Sequence, residues 1–114
     1  MESIYLLVDP RDRLPHYVGR TSQSDERKSS WLKSNMKWKS LLRIARKNPD
    51  MAIWLLELSK ASCKPVFVII EDRLSFHEAS YKELDWIKRG FAASWPLLNI
   101  VGRQKPENIC SRID

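Results

Sequence analysis

Apolar positions along this chain recur at two different periods, and each change of period marks an element. "SIYLLV" at 3–8 alternates and is rich in β formers, so it reads as a strand. "DPRDRLP" at 9–15 breaks the run, and Pro15 delays a second strand, "HYVGR", to 16–20. A mostly helical stretch is expected from Ser24 to Lys47, with Trp31, Trp38, Leu41, Leu42 and Ala45 on one face. Its centre, "KSNMK", holds weak helix formers and leaves one helix or two open. "NPD" at 48–50 restarts the pattern, with either Asn48 or Asp50 as cap, and Met51, Trp54, Leu55 and Leu58 carry a helix to about Ala61. "VFVII" at 66–70 reads as a buried strand. Ser75 and Glu78 form a capping box for a helix that runs to about Arg89 and is expected to stop at Gly90. "PLLNI" at 96–100 fits a short strand or a packed coil. The order predicts a small α+β domain with an antiparallel sheet, spanning 1–101, followed by a short polar tail at 102–114.

Composition changes this picture little. The chain has 114 residues, 43% of them hydrophobic, which suits one domain with a real core. No apolar run approaches the ~20 residues of a membrane helix, and no leader-like start is read, so a cytoplasmic protein is expected. Cys63 and Cys110 form no CxxC pair, so neither a zinc site nor a disulfide framework is expected.

Charge placement changes it more. The net charge is +6, but residues 20–47 alone carry +7: Arg20, Arg27, Lys28, Lys33, Lys37, Lys39, Arg43, Arg46 and Lys47 against Asp25 and Glu26. A cation excess gathered on one segment suits a polyanion partner, although a basic helix is as often only a solvated face.

One residue breaks the helical pattern of 76–89. Phe76, Ala79, Ser80, Trp86 and Ile87 share a face, and Glu83 stands in the middle of it. Most other charges there, Glu78, Lys82, Asp85, Lys88 and Arg89, point the other way. An inward carboxylate is costly unless it is paired, hydrogen-bonded or bound to a cation. A salt-bridged acid is the ordinary reading. Glu71 and Asp72 follow a strand and are expected to end it in solvent; His16 and His77 are assigned no chemistry.

Taken together, these motifs resemble the GIY-YIG endonuclease superfamily. "SIY" at 3–5 stands where that family has Gly-Ile-Tyr, and "YVG" at 17–19 stands for Tyr-Ile-Gly. "KELDWI" at 82–87 resembles the Glu-x-x-Trp-Ile segment that carries the family's metal-binding glutamate, and "LLNI" at 97–100 resembles its Leu-x-Asn ending. "MAIWLLELSKASCKPVFVIIE" looks like the Trp-containing helix and Pro-led strand of stand-alone phage-type members. The likeness covers roughly residues 3–101, and the order and spacing of the motifs carry it. The family's arginine has two candidates. Arg27, eight residues after Gly19, needs no insertion; in a second register Lys37 replaces it after ten inserted residues. The histidine of many members is absent in either register, and Ser3 replaces the first glycine.

The resemblance implies a central three-stranded antiparallel sheet flanked by helices and a metal-dependent phosphodiester hydrolase acting on DNA, duplex or branched. Glu83 would hold one Mg²⁺ or Mn²⁺ ion. Tyr17 would position or deprotonate the attacking water beside Tyr5. Because a phenol has an ordinary pKa near ~10, it needs a cation nearby, and Arg20 is placed for that. Arg27 would neutralise phosphate charge. Lys28, Lys33, Lys37, Arg43 and Asn99 complete the DNA side, with Asn99 a positioning residue rather than a ligand. With no appended DNA-reading module, target preference would come from the domain surface, a homodimer or a partner protein. The alternative is a protein of the same fold with weakened catalysis that binds nucleic acid or a protein through its basic segment. A small RNA-binding domain is the third reading, and no RNA motif supports it.

Overall fold

The computed structural model describes residues 1–22 and 38–100. Three strands and three helices follow in the order β1 (Glu2–Val8), β2 (Pro15–Thr21), α1 (Trp38–Lys47), α2 (Pro49–Lys60), β3 (Val66–Leu74) and α3 (Phe76–Ala92). The strands form one antiparallel sheet of order β2-β1-β3. The expected fold class is therefore the observed one: α+β, with a central three-stranded antiparallel sheet and helices against it.

Ser3 to Leu7 are all buried, which places β1 in the middle with both faces covered. A strand covered on both faces loses the polar half of its alternation. On one face Tyr5, Leu7 and Phe67 pack with Leu41 of α1 and with Met51, Trp54, Leu55 and Leu58 of α2. On the other, Ile4, Leu6 and Val18 pack with Leu74, with Ala79 and Ile87 of α3, and with Leu97. The chain thus folds as helix, sheet, helix, with two half-cores separated by β1.

Asn48 caps α2: its Oδ1 accepts the Met51 N–H at 3.1 Å, and Pro49 takes the first helical position. The capping box of α3 is complete, with Ser75 and Glu78 each accepting the other's backbone N–H. The 97–100 segment is packed coil.

Three expectations are corrected. First, β3 is longer than "VFVII" and is an edge strand, with Val66, Val68 and Ile69 exposed; Glu71 and Asp72 lie within it. Second, α3 passes through Gly90 to Ala92. Its stop is a Schellman motif, in which the Ser94 N–H reaches Phe91 O and the Trp95 N–H reaches Gly90 O. Ser94 takes the left-handed position at φ 63°. Gly90 serves packing instead, because a Cβ there would lie 2.6 Å from Leu97 Cδ1 and 2.7 Å from Trp95 Cε3. Third, not every apolar residue assigned to an inner face is buried: Leu42 and Phe76 are exposed.

Candidate functional site

The outer strand β2 carries two of the residues singled out in the sequence, Tyr17 and Arg20, together with Gly19. Strand alternation divides them between the two faces. Tyr17 and Gly19 share the α2 face with Tyr5, their neighbour on β1, whereas Val18 belongs to the α3 face and Arg20 reaches the α3 residues Ser80 and Phe76.

Tyr5 lies directly opposite Gly19 in the ladder. Its ring stacks on Phe67, 4.6 Å between centroids, and lies 6.3 Å from the ring of Tyr17. A Cβ on Gly19 would stand 2.2 Å from Tyr5 Cζ and 2.4 Å from its hydroxyl oxygen. The phenol therefore crosses the bare glycine toward the outer edge of the sheet. That is the physical reason for glycine in "YVG": the backbone there is overlaid by an aromatic ring. Tyr5 is only 3% exposed, while Tyr17 is half-buried.

On the opposite face, Glu83 sits half-buried on α3 between Ala79 and Ile87, both buried. Among the described residues it makes no hydrogen bond and no ion pair within 4.0 Å. Burial pushes its carboxyl above the ordinary range, and the Arg20 charge pulls partly back. Arg20 itself is braced: Nη1 donates to Ser80 Oγ at 2.5 Å, the guanidinium lies 5.0 Å from the Phe76 ring centre, and Nε stands 4.0 Å from Glu2. The phenol of Tyr5 on one face, and Arg20 with Glu83 near it on the other, thus flank β2.

Asn99 is a positioning residue. It is 5% exposed, and its side-chain amide is spent on the backbone of β2: Oδ1 accepts the Val18 N–H at 2.9 Å, and Nδ2 donates to Val18 O at 2.7 Å. The Leu98 N–H adds a bond to His16 O at 2.8 Å, and Asn48 Nδ2 donates to Leu98 O. The 97–99 segment closes the outer edge of β2 as a further strand would. Buried, with both its oxygen and its nitrogen bonded to the Val18 backbone, Asn99 faces β2 rather than a phosphate in solvent. Arg43 is exposed on α1. Arg27, Lys28, Lys33 and Lys37 lie outside the described residues.

Ser3 is buried, and its hydroxyl donates to Asp72 Oδ1 at 2.7 Å, tying β1 to β3. Glu71 accepts the Trp86 Nε1–H at 2.9 Å and lies 3.6 Å from Lys82. Glu71 is half-buried rather than in solvent, whereas Asp72 is exposed, as expected, although hydrogen-bonded.

Sequence reading missed Asp9, which is 2% exposed. Its Oδ1 accepts from Arg11 N and Nε, and its Oδ2 accepts from Arg11 Nη2 and Trp54 Nε1, at 2.8–3.1 Å. The Arg11 guanidinium above all holds this carboxyl far below the usual range. His16, stacked on Trp54 at 4.8 Å, bonds Asp12 Oδ2 at 2.8 Å. Asp9, Asp12 and His16 are close enough to hold a cation, but all four lone-pair sites of Asp9 are already taken. A metal would have to displace Arg11 and Trp54, so the group is a turn lock. Glu83, half-buried and without a donor among the described residues, fits one hard cation better: a single carboxylate plus waters and a phosphate oxygen is the usual Mg²⁺ arrangement. A lone "DP" after a strand gave no signal for Asp9, whose donors come from the turn and from a helix 45 residues away.

No known protein family, curated protein or solved structure matches the chain. None of the described helices is long and apolar enough to cross a membrane.

Proposed function

We propose that this chain is a cytoplasmic, metal-dependent DNA endonuclease of the GIY-YIG type. The observation that carries the reading is Glu83, an acid half-buried in an apolar helix face with no donor among the described residues. Such a group is an unfavourable place for charge unless a cation completes it. The bound Mg²⁺ or Mn²⁺ would polarise the phosphoryl oxygen and ease departure of the leaving alkoxide. Arg20, fixed by Ser80 and Phe76, would orient the phosphate beside Glu83. Tyr17, with Tyr5 beside it, would position the attacking water, and solvent would take the water's proton as the phosphorus–oxygen bond forms. The bond to the leaving oxygen breaks, and solvent supplies that oxygen's proton. Arg27 or Lys37 would supply the remaining positive charge.

One observation favours the second reading, a nucleic-acid-binding protein with weakened catalysis: Tyr5 is stacked and sealed in the α2 half-core, on the other face of the sheet from Glu83. Incubation of supercoiled plasmid with the protein and Mg²⁺ or Mn²⁺ separates the two. The endonuclease reading expects nicking that Glu83→Ala abolishes while DNA retention in a gel shift is unchanged. Retention without nicking supports the binding protein; nicking that survives Glu83→Ala sinks the assigned mechanism.

A further inference from the structure

Helix α1 gathers its charge on one side. Arg43, Arg46 and Lys47 stand at i, i+3 and i+4, all exposed, and no acid interrupts the helix. None of the three makes an ion pair within 4.0 Å among the described residues. Leu41 buries α1 in the α2 half-core, so this stripe lies on the opposite face of the sheet from Glu83 and is not part of that site.

Beside the stripe an open groove runs between α1 and α2. Leu41, Leu42 and Ala45 line one wall and Ala52, Ile53 and Leu56 the other, with no polar residue among the described ones. Leu42 is 48% and Ile53 55% exposed, so both walls offer apolar side chains to solvent. An exposed apolar patch rimmed by charge marks an interaction site. The acids of α2 lie elsewhere: Asp50 and Glu57 line a second hollow with His16 and Leu98, on the other side of Ile53. The charge at the groove is therefore positive and gathered along α1.

We propose that this groove takes an acidic, amphipathic segment of another protein. Its apolar side chains would enter between α1 and α2, and carboxylates along one of its edges would meet Arg43, Arg46 and Lys47. Charge selects this occupant. A second copy of the chain brings +6. Residues 23–37 bring +2 in side-chain charge, with Arg27, Lys28, Lys33 and Lys37 against Asp25 and Glu26. Residues 101–114 bring +1, with Arg103, Lys105 and Arg112 against Glu107 and Asp114. Each would set like charge against the stripe. Shape separates the remaining anions. A phosphate backbone needs cations but no apolar trough, and a bilayer receives protruding apolar side chains rather than filling a groove. The inference does not rest on the endonuclease reading.

Fluorescence anisotropy of a labelled peptide against the full chain tests it. The probe is a synthetic amphipathic helix of about four turns, with leucine on one face and glutamate along its edge; the control peptide carries lysine for every glutamate. The acidic peptide should bind reversibly, and the lysine peptide at least about tenfold more weakly. The Arg43→Glu/Arg46→Glu double variant reverses two exposed charges, and Ile53→Asp sets a charge in the groove. Each should keep the circular dichroism spectrum and weaken the acidic peptide about tenfold or more, and the charge-reversed chain should now prefer the lysine peptide. No binding of the acidic peptide, equal binding of both peptides, or binding indifferent to the two variants would overturn the proposal. Self-association of the parent chain that Ile53→Asp abolishes would also overturn it, and would give the groove to a second copy. So would duplex DNA or phosphatidylserine vesicles that bind the parent more tightly than the acidic peptide does and are lost in the charge-reversed chain, which would give the stripe to a phosphate surface.

Discussion

Gly19→Ala offers a test whose sign separates two pictures of the opening hairpin. Glycine in a strand interior ordinarily costs about 0.5–1 kcal/mol relative to alanine, because it loses more backbone freedom on folding. Were Gly19 an ordinary strand glycine, the substitution would stabilise the protein by about that much. The structure predicts the reverse. The new methyl would lie 2.2 Å from Tyr5 Cζ, and the ring has little room to retreat, being 3% exposed and stacked on Phe67. Overpacking costs about 1–3 kcal/mol, and an approach of 2.2 Å belongs to the upper part of that range, about 2–3, which leaves a net loss of roughly 1–2 after the backbone gain. For a chain of this size that is a fall in Tm of about 4–8 °C. Urea denaturation followed by far-ultraviolet circular dichroism measures it. Tyr5→Leu, which removes the ring, should relieve the clash, so the Gly19→Ala/Tyr5→Leu double variant should be more stable than the sum of the single losses. Stabilisation by Gly19→Ala alone, or strict additivity in the double variant, would show that the ring does not cross the glycine. The convergence of Tyr5 on the β2 edge would fall with it.

Three further outcomes follow from the same contacts. Glu83 has its folded pKa raised by burial, so the folded state holds that proton more tightly than the unfolded chain and loses stability as pH rises above the ordinary glutamate pKa; Glu83→Gln should therefore raise Tm at pH 7, and Mg²⁺ should raise the Tm of the parent but not of the variant. Asn99→Ala leaves the Val18 N–H and C=O without partners, which should cost about 2–4 kcal/mol and speed hydrogen exchange at the Val18 amide; an unchanged exchange rate there would refute the clamp. Asp9 has its folded pKa depressed, chiefly by Arg11, so its contribution is complete above the ordinary aspartate pKa and fades as pH falls below it. Asp9→Asn should cost about 2–3 kcal/mol at pH 7 and flatten the acid limb of the stability curve, measured by denaturation between pH 2 and 7.

Much of the fold was legible because its signals are local. Asn48-Pro49 and the Ser75–Glu78 box start α2 and α3 through bonds that span three residues. The stop of α3 was misread for the same reason. Gly90 looks like a terminator, yet its role is set by Trp95 and Leu97, which fold back over it. The candidate site was legible in part. Glu83 announced itself by interrupting an apolar face, whereas Asn99 had the look of a binding residue until its amide met Val18.

By itself, the sequence determined that strands begin near residues 3, 16 and 66 and helices near 49 and 76, that they form an α+β domain, and that Glu83 belongs among apolar neighbours. Periodicity and caps act within a few residues, so those conclusions need no third dimension. The tertiary structure alone decided that β1 is central and β3 lies at the end of the sheet among the described residues, because strand order depends on pairings across some 60 residues of chain. It also decided that Asp9 is locked, that Asn99 closes β2, and that Tyr5 and Glu83 approach one edge from opposite faces. Each of these rests on a partner distant in the chain, and the chemistry of one residue does not name its distant partner.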